Sequence, residues 1–186
     1  MSASRRRRRS KSAAVPESGE VMPALTPYDF LEFVCKIYGL EKDVYKKRIY
    51  DFILLFDLKN ELHTPMASFS KGMKQKVLII SSLIHNPDVI FWDEPLNGLD
   101  YSAMMQVRDL VKDLSAMGKT FFYSSHILDL VEKICSRVII LNEGQIVFDE
   151  KVNSDTISLE TIFEKYSLRN GKQELSAEIY RDLSSK

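Results

Sequence analysis

The chain has 186 residues, 45% of them hydrophobic and 28% charged, a balance that suits one globular domain with a real core. Lys plus Arg and Asp plus Glu number 26 each, but residues 5–11 alone hold six of the positive charges and leave the remainder mildly acidic, so the folded part lacks the basic surface of an electrostatic nucleic-acid binder and no nucleic-acid partner is expected. No stretch approaches the roughly 20 apolar residues of a membrane span, and no apolar segment follows the basic N-terminus as it would in a secretory signal.

Residues 1–14, MSASRRRRRSKSAA, are low-complexity and basic and read as a disordered, solvated tail. From Leu25 the pattern turns helical, with Phe30, Leu31, Phe33, Val34, Ile37 and Tyr38 in one stripe, Pro27 near the start and Gly39 at the end. A second helix is predicted over 44–56, with Ile49, Phe52, Ile53 and Phe56 on one face, and a third from Ser70 to before Pro87. The period then changes. Val89-Ile90-Phe91-Trp92 reads as a buried parallel strand, followed by a helix over 101–117, a strand over 120–123 and a helix over 127–134. Val138–Leu141 and Gln145–Phe148 form a hairpin across Asn142-Glu143-Gly144, and short helices over 158–166 and 174–183 finish the chain. Cys35 and Cys135 fall in helical patterns without metal or scaffold spacing and read as buried reduced thiols. Strands alternating with helices after residue 88 imply a mostly parallel sheet beside an all-α lobe, and in such sheets the chemistry collects at the carboxyl ends of the strands.

Two groups fall at those ends. Asp93 and Glu94 close an apolar strand, where two carboxylates lose hydration unless they have partners or work. One can hold Mg²⁺ through water while its neighbour orients and deprotonates an attacking water. His126 follows Tyr123-Ser124-Ser125 at the next strand end. Upstream, Ser70 suits an N-cap, and Gly72 lets the backbone of that first turn approach something closely. Taken singly, these features are also what a surface turn, a structural histidine and an ordinary helix cap would give.

Their order and spacing together resemble the ATP-binding-cassette (ABC) ATPase family, over about residues 15–166. FSKGM (69–73) resembles its signature motif, VIFWDE (89–94) its Walker B, NGLD (97–100) its D-loop and YSSH (123–126) its switch-histidine loop. The form SKGMKQK, with RVIILNEGQIVFDE and SLETIFEKYS further on, resembles the exporters of that family. The resemblance implies an α/β fold: a partial P-loop NTPase fold with a mostly parallel sheet and a helical subdomain. It implies the C-terminal part of an ATPase domain at 15–168, with the helical subdomain at 25–86, the core at 87–150 and an extension at 169–186. It also implies ATP and Mg²⁺ as cofactors. Asp93 would serve the metal through water, Glu94 would be the general base and His126 would contact the γ-phosphate. Ser70, Lys71 and Gly72 would meet the ATP of an opposite subunit, and Asp100 would cross the dimer interface. Val15-Pro16-Glu17 resembles the end of the Q-loop strand, with Glu17 where many relatives have glutamine. The implied partners are a second nucleotide-binding subunit, head to tail, and a transmembrane permease that would hold the chain at the cytoplasmic face of a membrane.

The family's phosphate loop, GxxxxGK[ST] between a strand and a helix, has no counterpart in these 186 residues, since no glycine precedes Gly19. Gly118-Lys119-Thr120 fails as a substitute because position 113 is Asp113 and the segment runs from a helix into a strand; it reads as a helix cap. The sequence thus reads as a truncated ATP-binding subunit whose sheet would expose edges and apolar faces. The alternative is a non-hydrolysing subunit, or a gene fragment, that only donates its signature motif to a partner.

Overall fold

Ile90 and Trp92 are buried while Phe91 between them is half-exposed, the period of a strand with one covered face. This strand, β2 (Val89–Asp93), is the centre of a parallel sheet in the order β1 (Ser12–Val15), β2, β3 (Thr120–Ser124). The structure, a computed structural model, describes residues 12–17, 20–152 and 158–167. The sheet lies in the first of two compact units, Met1–His126; the second is Ile127–Lys186.

Two expectations change here. Ser12, Ala13 and Ala14 do not belong to a disordered tail: with Val15 they pair with Val89 to Trp92, and Ala13 and Val15 are buried. The basic run stops at Lys11, and the small apolar residues after it satisfy the backbone groups along one edge of β2. Residues 1–11, the extension at 169–186 and the helix expected at 174–183 lie outside the described residues. β2, expected to be buried on both faces, is buried on one. On the other, Phe91 stacks on Phe122 at 4.8 Å between ring centroids, both about half-exposed.

Three helices form the α-rich part of this unit. In α1 (Pro27–Ile37) Thr26 caps the start by accepting from the Asp29 N–H at 3.2 Å, with Pro27 as the first helical residue. α2 (Lys42–Leu55) meets α1 through the Tyr45 hydroxyl, which donates to Glu32 at 2.7 Å. A short 3₁₀ turn, Met66–Ser68, leads into α3 (Lys71–Leu83). Their common core is apolar and closed: Leu31, Cys35, Ile49, Ile53, Phe56, Ile79, Ile80 and Ile84 are wholly buried. α3 also reaches the sheet, where the Trp92 indole N–H donates to the Ser82 hydroxyl at 3.0 Å. α4 (Tyr101–Ala116) connects β2 to β3. At its end Gly118 (φ 89°) donates to the Ser115 carbonyl at 2.9 Å, and Lys119 pairs with Asp88 at 3.1 Å. Gly118-Lys119-Thr120 is thus a helix-to-strand connection.

The second unit is built on the antiparallel hairpin β4 (Arg137–Asn142) and β5 (Gln145–Lys151). Glu143 (φ 50°) and Gly144 (φ 77°) turn it, the paired left-handed conformations of a tight two-residue hairpin loop. The Arg137 guanidinium grips both Asp149 carboxylate oxygens, at 2.6 and 2.7 Å. α5 (Leu128–Ile134) and α6 (Leu159–Ser167) pack together, burying Leu130, Val131, Leu159 and Ile162. Among the described residues no helix is long and apolar enough to cross a membrane.

His85, just past α3, is buried and stacks flat on Tyr38 at 3.7 Å between ring centroids. Burial pushes its imidazole below the ordinary histidine value of 6.5, against the opposing pull of the Ser12 and Ser81 backbone, and Arg48 adds to the lowering. The native state therefore favours neutral His85, and the unfolded chain takes up the proton first. This contribution to stability is complete above pH 6.5 and is lost as pH falls through that value toward the lowered native one. Urea unfolding at pH 7.5 and pH 5.5 should show wild-type stability falling on the acid side, with a smaller fall in His85→Phe, which keeps the stacked ring. An equal fall in both proteins would assign the acid loss to other groups.

Candidate functional site

The carboxyl ends of β2 and β3 meet because the parallel register sets Asp93 beside Ser124. The Ser124 hydroxyl donates to Asp93 Oδ1 at 2.5 Å. One residue further, the Glu94 N–H reaches the Ser124 carbonyl at 3.2 Å and its Oγ at 3.1 Å. Glu94 is left-handed, with φ 46°, a conformation in which a Cβ crowds the following carbonyl oxygen. Its own carbonyl accepts from the Asn97 N–H at 3.2 Å, closing a tight turn. That turn aims the side chain across to the segment just after β3, where Glu94 Oε1 lies 2.9 Å from His126 Nδ1. The Glu94 side chain is only 18% exposed and that of His126 is 70% exposed, so the carboxylate is the fixed partner and the imidazole the accessible one.

The first turn of α3 lies against the same loop from the other side. Ser70 is the N-cap, and its Oγ accepts from the Met73 N–H at 3.2 Å. The Lys71 stem runs past Gly98, with its Cγ 3.0 Å from where a Cβ on Gly98 would stand. Gly72 abuts Gly98 still more closely: a Cβ on Gly72 would stand 2.5 Å from the Gly98 carbonyl oxygen. The close approach read from Gly72 in the sequence is therefore made by the chain's own backbone. Asp100 caps α4, with Oδ1 accepting from the Ala103 N–H at 2.8 Å. Glu17, two residues past β1, accepts from the Asn97 side-chain amide at 3.3 Å.

The structure thus joins Glu94 and His126 directly and ties the neighbouring Asp93 to the same strand end through Ser124. It places Lys71, Gly72, Asp100 and Glu17 on or against the loop 94–100, and Ser70 at the N-cap of the helix that carries Lys71 and Gly72. Sequence reading overlooked three residues that hold this arrangement. Ser124 stands opposite Asp93 in the strand register, and Asn97 contacts Glu17. Gln75 donates from its buried amide to the Pro95 carbonyl at 2.9 Å. Gln75 did leave a signal, since three residues after Gly72 it shares that helix face, a polar side chain beside an apolar stripe.

Among the described residues no cluster of three His, Cys, Asp or Glu side chains could cage a metal ion. Asp93 and Glu94 offer oxygen only, which suits Mg²⁺, an ion that keeps waters and phosphate oxygens in its shell and takes one or two carboxylates from protein. The first turn of α3, with backbone N–H groups and a partial positive charge, suits an anion.

A family model described as ABC transporter matches residues 1–97, just over half of the chain. The chain belongs to the ABC transporter family. It is 36% identical over 124 residues to the ABC transporter ATP-binding protein NatA of Bacillus subtilis (strain 168), covering 67% of this chain and 50% of that protein. It is 32% identical over 139 residues to the linearmycin resistance ATP-binding protein LnrL of the same organism, covering 75% and 45%. A solved ATP-binding subunit of an ABC transporter superposes with a TM-score of 0.72 at 30% identity, over 91% of this chain and 68% of that one. A dimeric ATP-binding cassette in a post-hydrolysis state, bound to ADP and Pi, superposes with a TM-score of 0.70 at 24% identity, over 78% and 65%, a likeness of fold. The fold is that of the ABC ATPases, a P-loop NTPase architecture with a parallel sheet and helices. The chain spans half or less of the length of these two curated relatives.

Because a Cβ at position 72 meets backbone rather than a flexible side chain, Gly72→Ala must displace the loop at Gly98. Urea denaturation should show a loss of about 1–3 kcal/mol, the usual cost of overpacking. An unchanged midpoint would mean that the loop gives way freely.

Proposed function

We propose that the chain is part of an ATP-binding subunit of an ABC transporter, in which Glu94 is the general base for ATP hydrolysis. The observation that carries this reading is the Glu94 carboxylate held 2.9 Å from His126 at the carboxyl ends of adjacent parallel strands. Glu94 is fixed well enough to orient a water and to take its proton as that water attacks. His126, exposed beside it, can hold a phosphate oxygen and keep the carboxylate in place. Asp93, anchored by Ser124, is the residue to hold the water shell of Mg²⁺. When bound with the nucleotide, that ion neutralises charge building on the phosphate oxygens.

Ser70, Lys71 and Gly72 open α3, and its N-terminal N–H groups suit the phosphates of ATP held by another subunit. The partner in this reading is a second nucleotide-binding subunit set head to tail. Asp100 would lie at that interface as well as capping α4, and Glu17 would belong to the segment that senses nucleotide next to β1. The helical subdomain at 25–86 and the core at 87–150 would divide this work, and a permease would hold the assembly at the cytoplasmic face of the membrane.

The test is an assembly that pairs this chain with polypeptide carrying a phosphate loop. Glu94→Gln keeps the shape and removes the base, so turnover should fall by about 100-fold or more while ATP binding survives. Turnover at the wild-type rate would remove Glu94 from this role.

A second reading, that the chain donates only its signature helix, draws on the Ser70-capped start of α3, whose N–H groups need no phosphate loop of their own to meet another subunit's nucleotide. Alone, the chain should show no micromolar affinity for Mg-ATP in calorimetry, because Asp93 and Glu94 bring negative charge and no phosphate-binding lysine loop offsets it. Mixed with an intact subunit it should associate only when ATP is present, and Ser70→Arg should abolish that association. Association that survives Ser70→Arg would sink the donor reading, and tight binding of Mg-ATP by the chain alone would undercut its premise.

A further inference from the structure

The left-handed turn at Glu94 is held from three directions. From β3, the Ser124 carbonyl and hydroxyl take the Glu94 N–H. From within the turn, the Asn97 N–H takes the Glu94 carbonyl. From α3, Gln75 reaches across 20 positions of sequence and donates its side-chain amide to the carbonyl of Pro95, the residue next to Glu94, at 2.9 Å. Gln75 is 6% exposed. At that depth its amide and the Pro95 carbonyl have no ready exchange with water, and removing one leaves the other wanting a partner. α3 touches this loop twice, at Pro95 through Gln75 and at Gly98 through Gly72. The two contacts are three residues apart on the helix and three on the loop, so the start of α3 and the loop 95–98 meet through one hydrogen bond and one close backbone approach.

We propose that Gln75 is a positioning residue: it ties the N-terminal turn of the signature helix to the backbone turn that aims Glu94. A displacement of that helix end, as when an anion is bound there, is carried through the Gln75–Pro95 contact to the Glu94 carboxylate. This rests on the reading of Glu94 given above, but it is tested on the backbone of the turn, without nucleotide or turnover.

The experiment is NMR on the full chain, wild type against Gln75→Met, which keeps the length and volume of the side chain and removes the donor. A left-handed residue brings its own amide and α protons close together, so wild-type Glu94 should give a strong intraresidue cross-peak between them. In Gln75→Met that cross-peak should weaken toward the intensity of ordinary residues, and Glu94 amide exchange should quicken about tenfold. The Ile90 amide, in the body of β2, should be unchanged. The single tryptophan, Trp92, is buried beside the site, and its fluorescence reports whether the variant has folded. If Gln75→Met loses the native emission, Gln75→Asn, one methylene too short to reach, is read by the same criteria. A folded variant that keeps both the Glu94 cross-peak and its exchange rate overturns the proposal. A lost Glu94 signature, combined with turnover indifferent to Glu94→Gln in the reconstituted assembly, would uphold the tie and reject only the base assignment.

Discussion

The parallel pairing of β2 with β3 places Asp93 against Ser124, and the rest of the site is built on that register. Two rungs on one face pin it. Phe91 stacks on Phe122 at 4.8 Å, and two residues on the Ser124 hydroxyl binds Asp93. On the opposite face Trp92 meets Phe121 edge-on at 5.1 Å. A slip of one residue would exchange the two faces of a strand. It would turn Asp93 away from Ser124 and leave the Glu94 N–H without the two oxygens that hold its turn. Aromatic packing in the strands is thus what fixes the position of the polar groups at their ends.

α3 connects this strand end to the helical part of the unit. Its apolar face supplies Val77, Ile79 and Ile80 to the closed core, Ser82 receives the Trp92 indole, and its first turn abuts the loop after Glu94. One rigid element therefore carries a hydrophobic anchor, a strand contact and an anion-suited N-terminus. Packed cores move as units rather than deforming continuously, so a change at the helix start is felt at the strand end.

Asp93, Glu94 and Glu17 all bring carboxylates to the carboxyl end of the sheet, and the accessible His126 faces Glu94. Acidic side chains in such a place repel a triphosphate unless a divalent cation and cationic or N–H donors accompany it. The first turn of α3 has such donors. The family likeness and the geometry agree on an ABC ATPase fold, and the chain spans half or less of the length of the curated relatives NatA and LnrL.

Much of this was legible in the residues. The extent of α1, the buried stripe of α2, the Ser70 cap, the Asp93-Glu94 strand end and the Glu143-Gly144 turn are local patterns, and local backbone physics decides them; the stripe read for α1 holds only in part, since Phe33 and Ile37 are exposed and Cys35 is buried in its core. The motif order then selected the family, and the parallel sheet followed from strands alternating with helices. β1 was missed beyond its last residue because a four-residue strand of small side chains after an arginine run has no periodicity to detect; only the waiting edge of β2 makes it a strand. The exposed face of β2 was missed because an apolar run does not record how many of its faces are covered. Tertiary structure alone decided that Ser124 would hold Asp93, that Gly72 would press on Gly98 and that Gln75 would reach Pro95. These contacts join positions that are far apart along the chain, and they exist only once pairing and packing have chosen neighbours that a sequence pattern, which fixes each element's inward face, leaves open.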